Sequence, residues 1–163
     1  ADATRQRAVP VRLYWPNAAS APVPLVVFSH GIGGSRRGYS YLGQHWASHG
    51  IASLHLQHVG SDRNLWFGNP LGLVGRLQDA AQEREAIERP RDLRFALDHL
   101  LASPLGERID AKRIVAAGHS YGANTTLLAA GARGATRGPA CRSARRAIAC
   151  GCSAVGAAVL RRG

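Results

Sequence analysis

The chain has 163 residues, of which 45% are hydrophobic, and a formal net charge of +11. This length allows one domain with a sizeable core, and no apolar run approaches the roughly 20 residues of a membrane-spanning helix. Residues 133–163 hold seven Arg and no acidic residue, so 1–132 hold only 14 basic against 10 acidic residues. Because this body has no basic stripe interleaved with aromatic residues, we expect no specific nucleic-acid binding.

The chain contains no Met, so its first residue is not a translation start, and either a removed signal peptide or a cut fragment would account for this. We therefore expect a secreted or periplasmic protein, with the cytoplasm as the alternative. The three cysteines, Cys141, Cys150 and Cys152, all lie in the Arg-rich tail. An odd, closely spaced set without a neighbouring His favours neither a disulfide framework nor a zinc site, so we expect no metal.

Strand and helix patterns alternate in the first third of the chain. Residues 9–15 alternate as an early strand does, and 25–28 form the continuous apolar run of a strand buried on both faces. A helix is predicted over about 39–48, where Gly50 would end it. A second buried strand is predicted over 51–56.

A long loop is predicted over 58–75. Loops of this length are often functional, and Trp66 and Phe67 would then form one wall of a substrate pocket. The alternative is that these two aromatic side chains cover the core.

Two helical patterns follow, one over 76–88 and another that begins at Pro90 and carries leucines on one face. A last strand is predicted over 109–117. Strands that alternate with helices in this order predict an α/β fold, in which flanking helices cover a mostly parallel sheet with right-handed crossovers.

The composition changes after residue 132. Ala, Arg, Gly and Cys dominate 133–163, which shows neither clear alternation nor the compact apolar runs of the earlier strands. We therefore predict that 1–132 are the N-terminal part of an α/β domain. The tail at 133–163 is expected to be irregular or aberrant, for example a frame-shifted terminus.

A Gly-His-Ser-Tyr-Gly sequence at 118–122 joins an apolar run to a helix of small residues. G-x-S-x-G between a strand and a helix is the nucleophile elbow of α/β-hydrolases, where a strained turn projects the serine hydroxyl. Glycines two residues either side let the strand and the helix approach closely. The pattern predicts Ser120 as a nucleophile, and an ordinary Gly-rich turn is the alternative.

Acyl transfer by a serine also needs hydrogen-bond donors for the tetrahedral oxyanion. One donor would be the amide of Tyr121, directly after the nucleophile. The other would be the amide of Ile32, in a Gly-rich loop supported by His30, Gly31 and Gly33. The alternative is that this loop is a turn selected only for its flexibility.

Three motifs carry a resemblance to a known family: residues 28–34, 46–50 and 118–123. They resemble the dienelactone-hydrolase-like α/β-hydrolases, and within these the bacterial esterases similar to platelet-activating-factor acetylhydrolase, chlorophyllase and the cutinase-like polyester hydrolases. The similarity covers about 8–132. It implies the N-terminal portion of an α/β-hydrolase fold, a nucleophile at Ser120 and an oxyanion hole from Ile32 and Tyr121. It also implies small-molecule or lipid-like carboxylic-ester substrates and no cofactor.

The triad of this fold runs Ser, then Asp or Glu, then His along the chain. All seven histidines lie before Ser120, and the last acidic residue is Asp110. The chain therefore cannot supply the usual acid and base. His30 is the nearest substitute base, and its alternative role is to hold the oxyanion loop. We expect this polypeptide to be weakly active or inactive, although the full-length protein would be an esterase.

Two other functions stay open at this point. The first is a non-catalytic binding protein of the same fold, whose basic tail contacts an acidic partner. The second is a serine peptidase, because the elbow alone does not separate ester from amide substrates. No oligomeric state is predicted. The strand before Ser120 is normally central in the fold, so its far side would be open unless the tail or a partner covers it.

Overall fold

The computed structural model describes residues 1–17 and 22–131, together with a strand at Val155–Val159. The strands are β1 (Val11–Tyr14), β2 (Val23–Ser29), β3 (Ala52–Leu56), β4 (Ile109–His119) and β5 (Val155–Val159). The α-helices are α1 (Ser40–Ser48), α2 (Leu73–Ala80), α3 (Glu83–Leu101) and α4 (Tyr121–Ala129). Short 3-10 helices occupy Arg63–Trp66, Pro70–Gly72 and Gly106–Arg108.

The strands form one sheet in the order β1-β3-β2-β4-β5. The three central strands are parallel, whereas β1 and β5 pair antiparallel at the two edges. All five residues of β3 are buried, as expected for a parallel strand covered on both faces. The prediction of a mostly parallel sheet with flanking helices is confirmed.

The hydrophobic core lies where α3 covers this sheet. Leu25 and Val27 of β2, Leu54 of β3 and Ile114 of β4 pack with Leu93 of α3, and all five are buried. Burial of one such side chain stabilises the fold by about 1.5–3 kcal/mol. The sheet with this packed core therefore carries the loops at the carboxyl ends of its strands.

The predicted boundary between two helices was wrong. The prediction had one helix over 76–88 and a second helix that begins at Pro90. One helix ends at Ala80, and α3 then runs through Pro90 without a break. Proline in a helix interior costs about 3 kcal/mol through its missing N–H and a clash with the preceding turn. Here Arg89 and Asp92 are buried and hydrogen-bonded on either side of it. These tertiary contacts offset the local preference.

The far side of β4 is paired. The backbone of β5 runs antiparallel to β4, with Val159 opposite Val115 and Val155 opposite His119. The rest of the tail, including the three cysteines, lies outside the described residues, so the boundary at residue 132 stays a prediction. Across 1–17 and 22–131, no helix is both long and apolar enough to cross a membrane.

Candidate active site

Ser120 lies at the sharp turn between β4 and α4. Its backbone has φ +54° and ψ −120°, a region that residues with a side chain rarely adopt. Such a conformation costs of order 1–3 kcal/mol and is found mainly at functional sites. The Ser120 side chain is exposed. The turn therefore presents this hydroxyl at the carboxyl end of a central strand.

The two flanking glycines are required by close backbone contacts. A Cβ atom at Gly118 would overlap the backbone of Gly122, and one at Gly122 would overlap the carbonyl oxygen of Ser29. Strand β4, helix α4 and the end of β2 thus meet at distances that only glycine permits. The spacing of these glycines around Ser120 follows directly from this packing.

The Gly-rich loop after β2 lies beside Ser120. A Cβ atom built on Gly31 would lie 3.3 Å from the Cβ of Ser120. Residues that are about 90 positions apart in sequence are thus brought into contact by the parallel pairing of β2 with β4. The loop therefore borders the space in front of the Ser120 hydroxyl.

The peptide group that joins Gly31 to Ile32 is held in place by hydrogen bonds to its carbonyl oxygen. The Gly31 oxygen accepts hydrogen bonds from His30 Nδ1 at 2.6 Å and from the Gly34 amide at 3.1 Å. Within the described part of the chain, the Ile32 amide has no hydrogen-bond acceptor. Bonding of the carbonyl polarises the opposite N–H of a peptide. Ile32 therefore offers an oriented donor that is not already used.

The Tyr121 amide is the other available donor. Tyr121 is the first residue of α4, where backbone N–H groups have no intrahelical partner. The carbonyl oxygen of Ser120, in the same peptide, accepts from the Ala123 amide at 2.9 Å. The positive end of the α4 dipole also lies at this point and favours negative charge. The geometry can therefore stabilise an oxyanion on a group attached to Ser120.

His30 is locked into the loop. Its side chain is fully buried, its Nε2 accepts from the His58 amide at 3.1 Å, and its Nδ1 therefore carries the proton given to Gly31. Burial, and then the nearby Arg89 cation, lower the pKa of His30 to about 4. Because both ring nitrogens are engaged, this geometry favours the loop-holding role over that of a base.

A buried Ser-His-Asp chain of hydrogen bonds, which the sequence did not predict, lies at the end of β2 where this loop begins. The Ser29 hydroxyl is 3.1 Å from His58 Nε2, and His58 Nδ1 is 3.1 Å from Asp92 Oδ2. This is the hydrogen-bond order of a catalytic triad. All three residues are at most 1% exposed, so no substrate can reach Ser29. Burial, followed by the Arg89 cation, lowers the pKa of His58 well below its usual range. We interpret this chain of hydrogen bonds from Ser29 through His58 to Asp92 as structural.

Arginines of the N-terminal segment complete this buried chain. Arg7 donates to both oxygens of Asp92 at 3.0 and 3.1 Å, and also to Glu85. Arg5 donates to Asp92 at 2.9 Å and to Glu88 at 2.6 Å. Burial raises the pKa of Asp92, whereas the two arginines act to lower it. The carboxylate is thus surrounded by donors and fixes His58 in turn.

The remaining histidines are not hydrogen-bonded to Ser120. His119 is occupied by the Tyr39 hydroxyl, 2.8 Å from its Nδ1, and His55 is buried inside β3. His45 on α1 and His99 on α3 are exposed, as is His49 directly after α1. In the parts of the chain that the structure describes, the Ser120 hydroxyl has no hydrogen-bond partner. No base is therefore hydrogen-bonded to Ser120 among those residues.

Trp66 and Phe67 are exposed to 56% and 62%, which contradicts the alternative that they cover the core. The indole Nε1 of Trp66 donates to the Gly33 carbonyl at 2.8 Å. Gly33 has φ +73°, and a Cβ there would lie 2.6 Å from the indole ring. Trp66 is therefore fixed against the Gly-rich loop that follows β2.

No metal site is found among these groups. The described residues contain no cluster of three or more His, Cys, Asp or Glu side chains that could hold an ion. The chemistry that the arrangement permits is nucleophilic attack by Ser120, with two backbone donors beside it.

Fold and elbow together define the class of protein, the α/β-hydrolases. A ferulic acid esterase from Streptomyces cinnamoneus is 34% identical, with a TM-score of 0.55 over 68% of this chain and 33% of that chain. A dienelactone hydrolase from Anabaena variabilis is 22% identical, with a TM-score of 0.56 over 77% of this chain and 52% of that chain. At that identity the second likeness shows the fold alone. The predicted α/β-hydrolase fold is confirmed.

The chain is also similar in sequence to platelet-activating-factor acetylhydrolases. Residues 3–64 match the family model "Platelet-activating factor acetylhydrolase, isoform II". The platelet-activating factor acetylhydrolase of Cavia porcellus is 26% identical over 149 residues, which cover 73% of this chain. The chain spans about a third (34%) of the length of that relative. The resemblance predicted from the three motifs is confirmed, and these relatives are ester hydrolases.

Proposed function

We propose that this protein carries the nucleophile and the oxyanion hole of a serine hydrolase that acts on carboxylic esters. The observation that carries the proposal is the strained, exposed Ser120 beside the amides of Ile32 and Tyr121, which have no acceptor among the described residues. The esterases among the relatives favour ester over amide substrates, and hence an esterase over a peptidase.

The reaction would proceed through an acyl-enzyme. Ser120 Oγ attacks the ester carbonyl carbon, and the carbonyl π electrons move to its oxygen. The Ile32 and Tyr121 amides stabilise this oxyanion, and each such donor contributes about 10²–10³ in rate. Collapse of the intermediate re-forms the carbonyl and breaks the bond to the alcohol, which leaves with the proton that Ser120 has lost. Water then hydrolyses the acyl-serine by the same steps.

The missing step is removal of the Ser120 proton. A serine hydroxyl is a weak nucleophile until a base takes its proton. A serine hydrolase that is left with only its oxyanion hole and its substrate binding keeps a rate enhancement of only about 10³–10⁴ over the reaction in water. We therefore propose that this chain is weakly active or inactive, and that an Asp and a His from a further segment complete the triad.

The substrate would be a small or lipid-like ester. Its acyl or alcohol part would lie against the exposed side chains of Trp66, which is bonded to the Gly-rich loop, and its neighbour Phe67. We also propose that the protein is exported from the cytoplasm. We further propose that the α/β domain ends at residue 132 and that 133–163 form a separate tail. A segment with an Asp and then a His in another reading frame after codon 132 would support that division.

A fluorophosphonate probe tests the nucleophile. The purified chain and its Ser120→Ala variant are incubated with the probe and, separately, with p-nitrophenyl acetate. We expect slow labelling of Ser120 alone and turnover far below that of an esterase. Addition in trans of a C-terminal segment from a related esterase, with its Asp and His, should raise both. Equal labelling of the Ser120→Ala variant would refute the proposal, and ordinary turnover by the chain alone would refute the missing base.

A further inference from the structure

Arg89 of α3 is a fully buried cation that the proposed mechanism does not use. Its guanidinium donates hydrogen bonds to three different segments: Nε to Thr125 Oγ1 at 2.9 Å, Nη1 to Ser61 Oγ at 2.9 Å, and Nη2 to the His30 carbonyl oxygen. A charge buried without a paired counter-charge costs several kcal/mol. Its presence here therefore needs a reason beyond packing.

The acceptors around Arg89 are neutral. No described carboxylate forms an ion pair with it, and Glu85 and Asp92 act on it only at longer range. Burial lowers the pKa of Arg89 to about 10, so the group is still cationic at neutral pH. What a guanidinium offers over other side chains is a rigid, planar set of donors in fixed directions. The bonds use three of those directions.

Two of the three bonds hold the Gly-rich loop. The His30 carbonyl precedes Gly31 directly, and the Ser61 backbone oxygen accepts from the Gly33 amide at 2.9 Å. Arg89 therefore fixes the loop directly on one side of Ile32 and, through Ser61, on the other. The Ile32 amide lies between these two anchors.

The third bond holds the start of α4. Thr125 Oγ1 accepts from Arg89 and donates to the Tyr121 carbonyl oxygen at 3.1 Å. The guanidinium carbon also lies 4.8 Å from the centroid of the Tyr121 ring, a cation–π distance. The same side chain is thus bonded to the helical turn that presents the Tyr121 amide.

We propose that Arg89 is a positioning residue that sets the width of the oxyanion hole. One guanidinium joins the segment with the Ile32 amide to the segment with the Tyr121 amide. This inference rests on the proposed function, because the two amides matter only if an oxyanion forms there. Donors must lie about 2.7–3.1 Å from that oxygen, and a misplacement of about 1 Å can cost 10²-fold in rate.

The test compares Arg89→Lys with Arg91→Lys. Arg91 lies on the same helix, but its side chain is 60% exposed and, within the described residues, is paired only with Glu88, so it is a matched control. Lysine keeps the charge but cannot serve three acceptors in one plane. Native-state hydrogen exchange of the Gly33 amide reports the loop, and the rate of fluorophosphonate labelling reports Ser120.

In Arg89→Lys we expect Gly33 to exchange at least about 10-fold faster while the core amides of β2 keep their protection. Labelling should slow by about 10–100-fold, and Arg91→Lys should match the parent in both. Gly33 exchange equal to that of the control would overturn the inference. If Ser120 of the parent is not labelled, the proposed function fails, and Gly33 exchange alone then decides the role of Arg89.

Thr125→Val covers the case in which Arg89→Lys does not fold. This variant removes one hydroxyl on α4 and leaves the loop untouched. If Arg89 couples the two segments, exchange of Gly33 should still rise, by about 3-fold or more. A purely local role for Arg89 predicts no change at Gly33, and that result would overturn the coupling.

Discussion

The buried carboxylate of Asp92 should be the most sensitive single position in the described part of the chain, and Asp92→Asn tests this. The parent carboxylate is fully buried and accepts five hydrogen bonds of 2.9–3.2 Å, four from Arg5 and Arg7 and one from His58. Asparagine keeps the size of the side chain but removes the charge and turns one acceptor into a donor. That donor would face an arginine or a histidine N–H.

The expected loss in the free energy of unfolding is about 3–5 kcal/mol, because one partner of a buried ionic cluster is removed while its two cations stay. Glu85 and Glu88 still pair with those cations, so the lower end of this range applies. With a urea m-value of about 2 kcal/mol/M, the unfolding midpoint should fall by roughly 1.5–2 M.

The assay is urea unfolding of the parent, of Asp92→Asn and of Asp98→Asn. Asp98 lies on the same helix but is exposed, so its change should stay within about 0.5 kcal/mol. If Asp92→Asn loses less than about 1 kcal/mol with an unchanged m-value, the cluster does not stabilise the fold. The interpretation of Ser29, His58 and Asp92 as a structural chain would then be refuted.

Two further predictions concern the stability of the fold at acid pH and the packing of Gly122 beside Ser120. Burial lowers the pKa of both His30 and His55 to about 4, so the unfolded chain binds more protons than the folded one between about pH 6.5 and 4. Stability should be fully present above pH 6.5 and fall as the pH drops towards 4, by up to about 1.4 kcal/mol per pH unit for each histidine. Urea midpoints at several pH values measure this, and a flat profile across that window would contradict it. At the elbow, Gly122→Ala should cost at least about 2–3 kcal/mol, because its methyl would overlap the Ser29 carbonyl. Thermal unfolding against Gly75→Ala, where a methyl meets open space, checks this, and equal melting temperatures would sink the argument.

Much of the fold could be predicted because its signals are local. The apolar run at 25–28, the Gly-His-Ser-Tyr-Gly sequence and the position of Gly50 each depend on a few adjacent residues. The place of the loops follows from the order of strands and helices along the chain. Because β2 and β4 are parallel, the loops that follow them lie at the same edge of the sheet. That is why Gly31 could be expected near Ser120.

What could not be predicted depends on distant partners. Pro90 indicated a helix start by its local preference, and only the buried bonds of Arg89 and Asp92 carry α3 through it. The role of His58 was equally hidden, because its partners Ser29 and Asp92 are about 30 residues away on either side. Polar residues in otherwise apolar elements were the available signal. Ser29 ends a buried strand, and Asp92 lies on the apolar face of a helix.

The antiparallel strand β5 has a consequence for any segment that would complete the triad. A strand edge has one set of N–H and C=O groups and pairs with one neighbour at a time. Between Val115 and His119 the outer edge of β4 is already taken by β5. An incoming strand that needs this edge must compete for it and expel β5 first. Complementation would then be a strand exchange, whose speed is set by the departure of β5 as well as by the concentration of the added segment.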